Sequence, residues 1–177
     1  LEEAGKIFPD AKKYKDYRVL IKEMSEDIDA VIVSAPDHTH APASILAMKN
    51  NKHVYCQKPL TNYVSESREM KRLAEEKNLI TQMGIQVHSF YDYKLATLLI
   101  QSGLIGKVSK VRAWSPKNWG YDGPKHTGAD DIPQNLDWNL WLGTAQLRPY
   151  KEKIYHPAMW RKIEDFGCGT LGDMGVH

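Results

Sequence analysis

The chain contains no apolar run approaching the ~18 residues that a membrane-spanning helix requires. Cysteine is almost absent: Cys56 and Cys168 are the only two, and two cannot make a disulfide framework. They fit a reducing compartment, so a cytoplasmic location is the default expectation, with export left open. An excess of one charge is lacking too. A net charge of +2, with no basic cluster interleaved with aromatics, argues against nucleic acid as a partner. Internal repeats and low-complexity tracts are also missing.

What is there is ordinary for a globular protein. A length of 177 residues allows one domain or two small ones, and 42% hydrophobic with 26% charged residues supplies both core and surface. The chain is organised around Asp29–Leu60, DAVIVSAPDHTHAPASILAMKNNKHVYCQKPL. Ala30–Val33 and His53–Cys56 are short apolar runs flanking one helix-length segment, whose apolar positions include Ile45, Leu46 and Met48. That pattern predicts a βαβ unit with parallel strands buried on both faces. Pro42 is expected in the first turn of the helix, with Asp37 or Thr39 as its cap. Ligands of such sheets sit beyond the carboxyl ends of the strands. Both distinctive tails, Ser34–His40 and Gln57–Pro59, fall there, and a lysine held before a proline is well placed to meet a ligand.

This stretch resembles the central signature of the glucose–fructose oxidoreductase / inositol dehydrogenase / rhizopine-catabolism family. The family pattern runs proline, a histidine four residues on, a Gly-Lys-His-Val run, then Glu-Lys-Pro. Pro36, His40, Lys52-His53-Val54 and Lys58-Pro59 match; Asn51 stands where glycine is usual and Gln57 where glutamate is usual. The resemblance implies a catalytic role for Lys58, NAD or NADP as cofactor, and a homo-oligomer, dimer or tetramer. The implied fold class is α/β, a Rossmann-type parallel sheet followed by an α+β substrate domain with an open, mainly antiparallel sheet. A complete family member carries a glycine-rich strand–turn–helix and a ribose-reading residue ahead of the first strand here. With Leu1-Glu2-Glu3-Ala4 at one end and a motif at the other, the chain reads as an internal piece of a longer protein.

In chain order, Leu1–Phe8 reads as a helix end, Lys13–Tyr17 as a short edge strand and Arg18–Ser25 as a helix. After the βαβ unit, Ser65–Lys77 reads as a helix ended by Asn78, and Leu79–Ile85 as a strand. Tyr91–Ser102 is a further helix stopped by Gly103. From Trp114 to Trp160, a window holding all five tryptophans, helical period is weak, and Asn118–Gln134 reads as a long loop. The domain change is placed near His88, giving a dinucleotide-binding domain over 1–88 and a substrate and oligomerisation domain over 89–177, both partial.

The second chemical signal is the terminal run GCGTLGDMGVH. On a helix, Asp173 and His177 are i and i+4 and share one face. A carboxylate beside an imidazole can orient it as a general acid/base. With its glycine-rich lead-in, the run also resembles the family's second catalytic signature. His38-Thr39-His40 is a poor metal pair, because its rings diverge on a helix and no third ligand lies nearby; no metal is expected. Cys56 reads as a small core residue.

Trp138 and Trp141 read as structural. Trp114, Trp119 and Trp160 are the candidates for a sugar-stacking platform, and His156 and Arg161 are candidate donors to substrate hydroxyls. Ser34, Ala35, Pro36, His40, Gln57 and Lys58 are expected to flank the ribose and nicotinamide. The preferred reading is hydride transfer between a secondary alcohol of a sugar or polyol and NAD(P). In it, His177 takes the hydroxyl proton, Lys58 stabilises the alkoxide or relays the proton, and Asp173 binds a neighbouring hydroxyl. A nicotinamide-assisted glycosidase working through a transient keto-sugar, and a non-catalytic sugar or dinucleotide sensor, are the rival classes.

Overall fold

A computed structural model describes residues 2–121 and 123–177. Leu1 and Asp122, which belong to the expected first helix and long loop, lie outside the described residues. Helices α1 (Glu2–Ile7) and α2 (Tyr17–Met24) precede strand β1 (Ala30–Val33). Helix α3 (Asp37–Lys49) leads to β2 (His53–Gln57), and α4 (Val64–Glu76) to β3 (Thr81–Gly84). The three strands pair in parallel, in chain order, with Val33 opposite Cys56 and Gln57 opposite Gly84. Beyond them lie α5 (Tyr91–Gln101), α6 (Trp138–Leu142) and α7 (Gly169–Met174), with 3-10 turns at Gln86–Ser89 and Met159–Lys162.

Alternation along the strands decides what is buried. Val33, Val54 and Cys56 point to the side where Ile21, Ala43, Ala47, Met48, Met70 and Leu73 arrive from α2, α3 and α4, forming one core. The expected burial of both sheet faces is not what forms. Ile32, on the opposite face, is 73% exposed, because the helices packed on the described sheet all lie on one side. The expected edge strand at Lys13–Tyr17 is also replaced. Asp16 accepts a hydrogen bond from the Arg18 amide at 2.8 Å and so caps α2, which starts at Tyr17 instead.

Helix α3 begins earlier than its sequence suggested. Asp37 is its first residue, Pro36 precedes it, and no side chain caps it, so neither Asp37 nor Thr39 plays the expected part. Pro42 therefore lies beyond the first turn and denies the His38 carbonyl its usual helical donor. The helix ends where Asn51 turns to φ +60°, a left-handed conformation that asparagine tolerates after glycine.

In the second half, every residue from 107 to 114 runs without a ladder, and Val111 is 80% exposed. The mainly antiparallel sheet expected here is not formed among the described residues, since strand backbone needs an adjacent strand to pair with. A second core gathers instead around Phe166, with Trp138, Leu142, Tyr150, Tyr155 and Trp160. Trp138 and Trp141 stack with centroids 4.9 Å apart, the structural role expected of both. His38 of α3 joins the halves. Its Nε2 lies 2.9 Å from the Trp141 carbonyl, its ring 5.0 Å from Phe166, and its backbone N–H donates to the Phe166 carbonyl at 3.3 Å. That seam sets α7 over the carboxyl ends of β1 and β2.

Candidate active site

Lys58 follows β2 directly, and its own amide donates to the Gly84 carbonyl at 3.1 Å, so the sheet fixes its backbone. Its ammonium reaches across to α7. There it donates to the Asp173 carboxylate Oδ1 at 2.7 Å and to the Asp173 carbonyl at 2.6 Å. Glycines before and at the start of α7 let this segment pack closely on its neighbours. A Cβ on Gly167 would stand 2.8 Å from Arg161 Cα, and one on Gly169, at φ +62°, would stand 3.2 Å from the Trp119 carbonyl.

Asp173 is held from three sides. Besides Lys58, Trp119 Nε1 donates to Oδ2 at 2.8 Å and Arg161 Nε to Oδ1 at 3.2 Å. Burial works to raise its pKa. The Lys58 hydrogen bond and charge, the Arg161 charge and the Trp119 hydrogen bond together outweigh that and hold the carboxyl below its usual range. Arg161 is itself sandwiched, 5.7 Å from the Trp119 ring and 4.2 Å from that of Trp160. The site is thus an ionised carboxylate between two cations, roofed by indole.

His177 stands differently from expectation. Helix α7 stops at Met174, so the i, i+4 face that would have paired Asp173 with His177 is not built. Asp173 spends its oxygens on Lys58, Trp119 and Arg161 instead. The His177 ring nevertheless sits in the Lys58 and Asp173 field. Burial first, then the Lys58 charge, lower its pKa, while Asp173 opposes and His88 adds to the fall. Its Nδ1 is buried without a partner. A neutral imidazole with an unspent nitrogen beside a lysine is chemically a base.

The strand ends supply a ledge beside this cluster. Ser34 is exposed, Ala35, Pro36 and Gln57 are half-buried, and Ser34 and Gln57 bring donors and acceptors suited to a ribose. His40 meets that ledge only through the Ala35 carbonyl. It is 1% exposed, and both ring nitrogens meet backbone carbonyls, Nδ1 at Pro59 and Nε2 at Ala35. Its expected cofactor contact is replaced by a structural one.

Of the substrate candidates, Trp119 and Arg161 join the cluster. Trp160 is buried in the second core and presents its face to Arg161, so it is no open platform. Trp114 is 86% exposed. His156 lines a separate hollow with Asp130, Asp131 and Tyr150 and takes no part in the cluster. One group escaped the sequence reading. Asp37, read as a cap, is buried with Oδ2 unpartnered. Burial raises its carboxyl to about 7; the Asp173 charge adds to this, while Arg161, Lys58 and the Cys168 amide oppose it. The available signal was its place just beyond β1, at the first residue of α3, where a carboxylate beside the buried His38 has little access to water.

Comparison with known proteins places this geometry. Residues 2–85 match the model of an oxidoreductase family with an NAD-binding Rossmann fold, and residues 91–177 match that family's C-terminal alpha/beta domain. A levoglucosan dehydrogenase from Pseudarthrobacter phenanthrenivorans is 29% identical over 99% of this chain and 37% of its own length. A 2,7-anhydro-N-acetylneuraminate hydratase from Mediterraneibacter gnavus is 35% identical over 47% of this chain and 22% of its own. The crystal structure of a myo-inositol 2-dehydrogenase from Lactobacillus plantarum superposes with a TM-score of 0.56 at 31% identity, covering 61% of this chain and 32% of that one. The chain thus spans well under two thirds of the length of each. With its Lys58-Pro59 strand end, its Asp173 run and two consecutive domain matches, the chain belongs to the Gfo/Idh/MocA oxidoreductase family.

Proposed function

We propose that this chain carries the catalytic centre of a nicotinamide-dependent oxidoreductase acting on a secondary alcohol of a sugar or polyol. The observation that carries the reading is the lysine at the end of β2, tied to the carboxylate of α7 at 2.7 Å, with a partly buried imidazole beside it. The strand-end ledge of Ser34, Ala35, Pro36 and Gln57 suits the ribose and nicotinamide of NAD or NADP. The bound nicotinamide supplies the hydride acceptor. The chain's own residues handle the proton: His177 Nδ1 receives it from the hydroxyl, and the Lys58 ammonium steadies the developing alkoxide oxygen. Asp173 keeps Lys58 in place, and Trp119 with Arg161 borders the sugar. The same reading takes residues 1–88 for the cofactor and 89–177 for the substrate, in a cytoplasmic homo-oligomer.

A redox-neutral route is the second reading, favoured by the relative named as a hydratase. There a transient keto-sugar is reduced again before release. The full-length protein, incubated with NAD or NADP and a panel of sugars and polyols, distinguishes the two by nicotinamide absorbance at 340 nm, the wavelength of the reduced ring. Net reduction that vanishes in Lys58→Ala supports the dehydrogenase. Substrate consumption without net reduction supports the redox-neutral route. No consumption of any sugar or polyol sinks both.

A further inference from the structure

We infer that His40 is a positioning residue, tying the strand-end ledge to the Lys58 turn so that the lysine meets Asp173; the inference rests on the oxidoreductase reading only for its effect on turnover. The carbonyls it joins belong to neighbouring strand ends. Nε2 lies 2.8 Å from the oxygen of Ala35, within the ledge after β1, and Nδ1 lies 2.7 Å from that of Pro59, the residue after Lys58. A carbonyl oxygen can only accept, so both contacts are hydrogen bonds only when both ring nitrogens carry protons. A neutral ring would serve one carbonyl and turn a lone pair on the other.

The surroundings set the balance. Burial disfavours the charged ring and, with the Lys58 charge, lowers its pKa below the ordinary value despite the Pro59 and Ala35 carbonyls, so a neutral ring gives its one proton to one of the two oxygens. No water competes, since the residue is 1% exposed. Held in α3 and set against both carbonyls, the ring acts as a strut between the two strand-end loops. Strand pairing holds the Lys58 amide to Gly84, on the far side of β2 from Ala35. His40 supplies the restraint on the near side. A small displacement of a positioned reacting group costs about 10²-fold in rate, so a strut set against the residue next to Lys58 bears directly on its chemistry.

The test uses the full-length protein and its His40→Gln and His40→Asn variants, with three readouts. The first is the rate at which acetic anhydride labels Lys58, followed by mass spectrometry across pH. The second is kcat against substrate KM. The third is the nitrogen-15 spectrum of selectively labelled histidine in the parent. The expected result is a parent His40 ring carrying a proton on Nδ1, toward Pro59, faster Lys58 labelling in the variants, and a kcat loss of about 10²-fold that exceeds any change in KM. Variants that melt earlier yet label Lys58 at the parental rate would reduce His40 to a packing residue and overturn the inference. A parent ring protonated at Nε2 alone, with no proton to offer Pro59, overturns it as well, even if neither variant folds. Should the parent turn over no sugar or polyol, the oxidoreductase reading fails, while labelling and the spectrum still decide the role of His40.

Discussion

Lys58 and Asp173 are joined twice, through the carboxylate and through the main-chain carbonyl of the same residue. The side chains are only 15% and 7% exposed, so this is a largely buried pair whose partners have lost their water. Removing one member leaves the other charge stranded, at a cost of about 3–5 kcal/mol. Asp173→Ala should therefore destabilise the protein by that amount in urea titrations, and Asp173→Asn by less, because its amide oxygen still accepts. A loss under about 1 kcal/mol for Asp173→Ala, the level of an exposed pair, would show that the bridge does not hold the site together.

His177 gives a second expectation. The Lys58 charge helps to hold its imidazolium back, so Lys58→Met should move the His177 titration upward, followed by proton NMR of the ring. His177→Ala should lower turnover by about 10²–10⁴-fold, the span of general acid/base catalysis. A titration that stays put in Lys58→Met would mean that the two groups do not sense one another.

The two buried carboxyls pull stability in opposite directions with pH. Asp37 is raised to about 7 in the folded chain, so between about pH 4, the ordinary carboxylate value, and 7 the unfolded chain is ionised while the folded one keeps its proton. Its contribution to stability therefore falls as pH rises through that window. Asp173 is lowered, so its contribution is present above the ordinary value and is lost as pH falls through the folded one. Thermal melts of Asp37→Asn should gain on the parent from pH 4 to 7, whereas Asp173→Asn should lose its disadvantage only in acid. Parallel curves for parent and Asp37→Asn would contradict the raised carboxyl.

Gly84 is the place where β3 passes under the ledge. An added Cβ would fall 2.7 Å from the Tyr55 ring and 2.8 Å from Gln57 Nε2. Gly84→Ala should cost about 1–3 kcal/mol by overpacking and, by displacing Gln57, raise the KM for nicotinamide cofactor more than that for sugar. Equal KM values for cofactor in parent and variant would remove Gln57 from the cofactor site.

The order of strands and helices was legible because parallel strands and amphipathic helices write their periods into the sequence. Lys58 and Asp173 were legible through their motifs, at a strand end and after a glycine run. The departure at Asn51 became intelligible only from its backbone, since φ +60° is what the usual glycine permits and asparagine tolerates. What the sequence hid were choices made between distant segments. Whether His40 faces a ligand or two carbonyls, and whether Asp37 caps a helix or is buried with an unpartnered oxygen, depends on packing between distant segments. The pairing of Asp173 with His177 failed for a local reason: the helix that would have aligned them ends at Met174.

The seam through His38 has a consequence for how the protein is made. His38 meets Trp141 across 103 residues, and Lys58 meets Asp173 across 115. At the ~5–20 residues per second of synthesis, roughly 6–23 s pass between the emergence of the lysine and that of its carboxylate. In that interval the βαβ unit has all its local contacts available, while the partner of Lys58 does not yet exist. The Lys58–Asp173 pair therefore cannot form in a nascent chain until α7 has been made, however early the strand that carries the lysine folds.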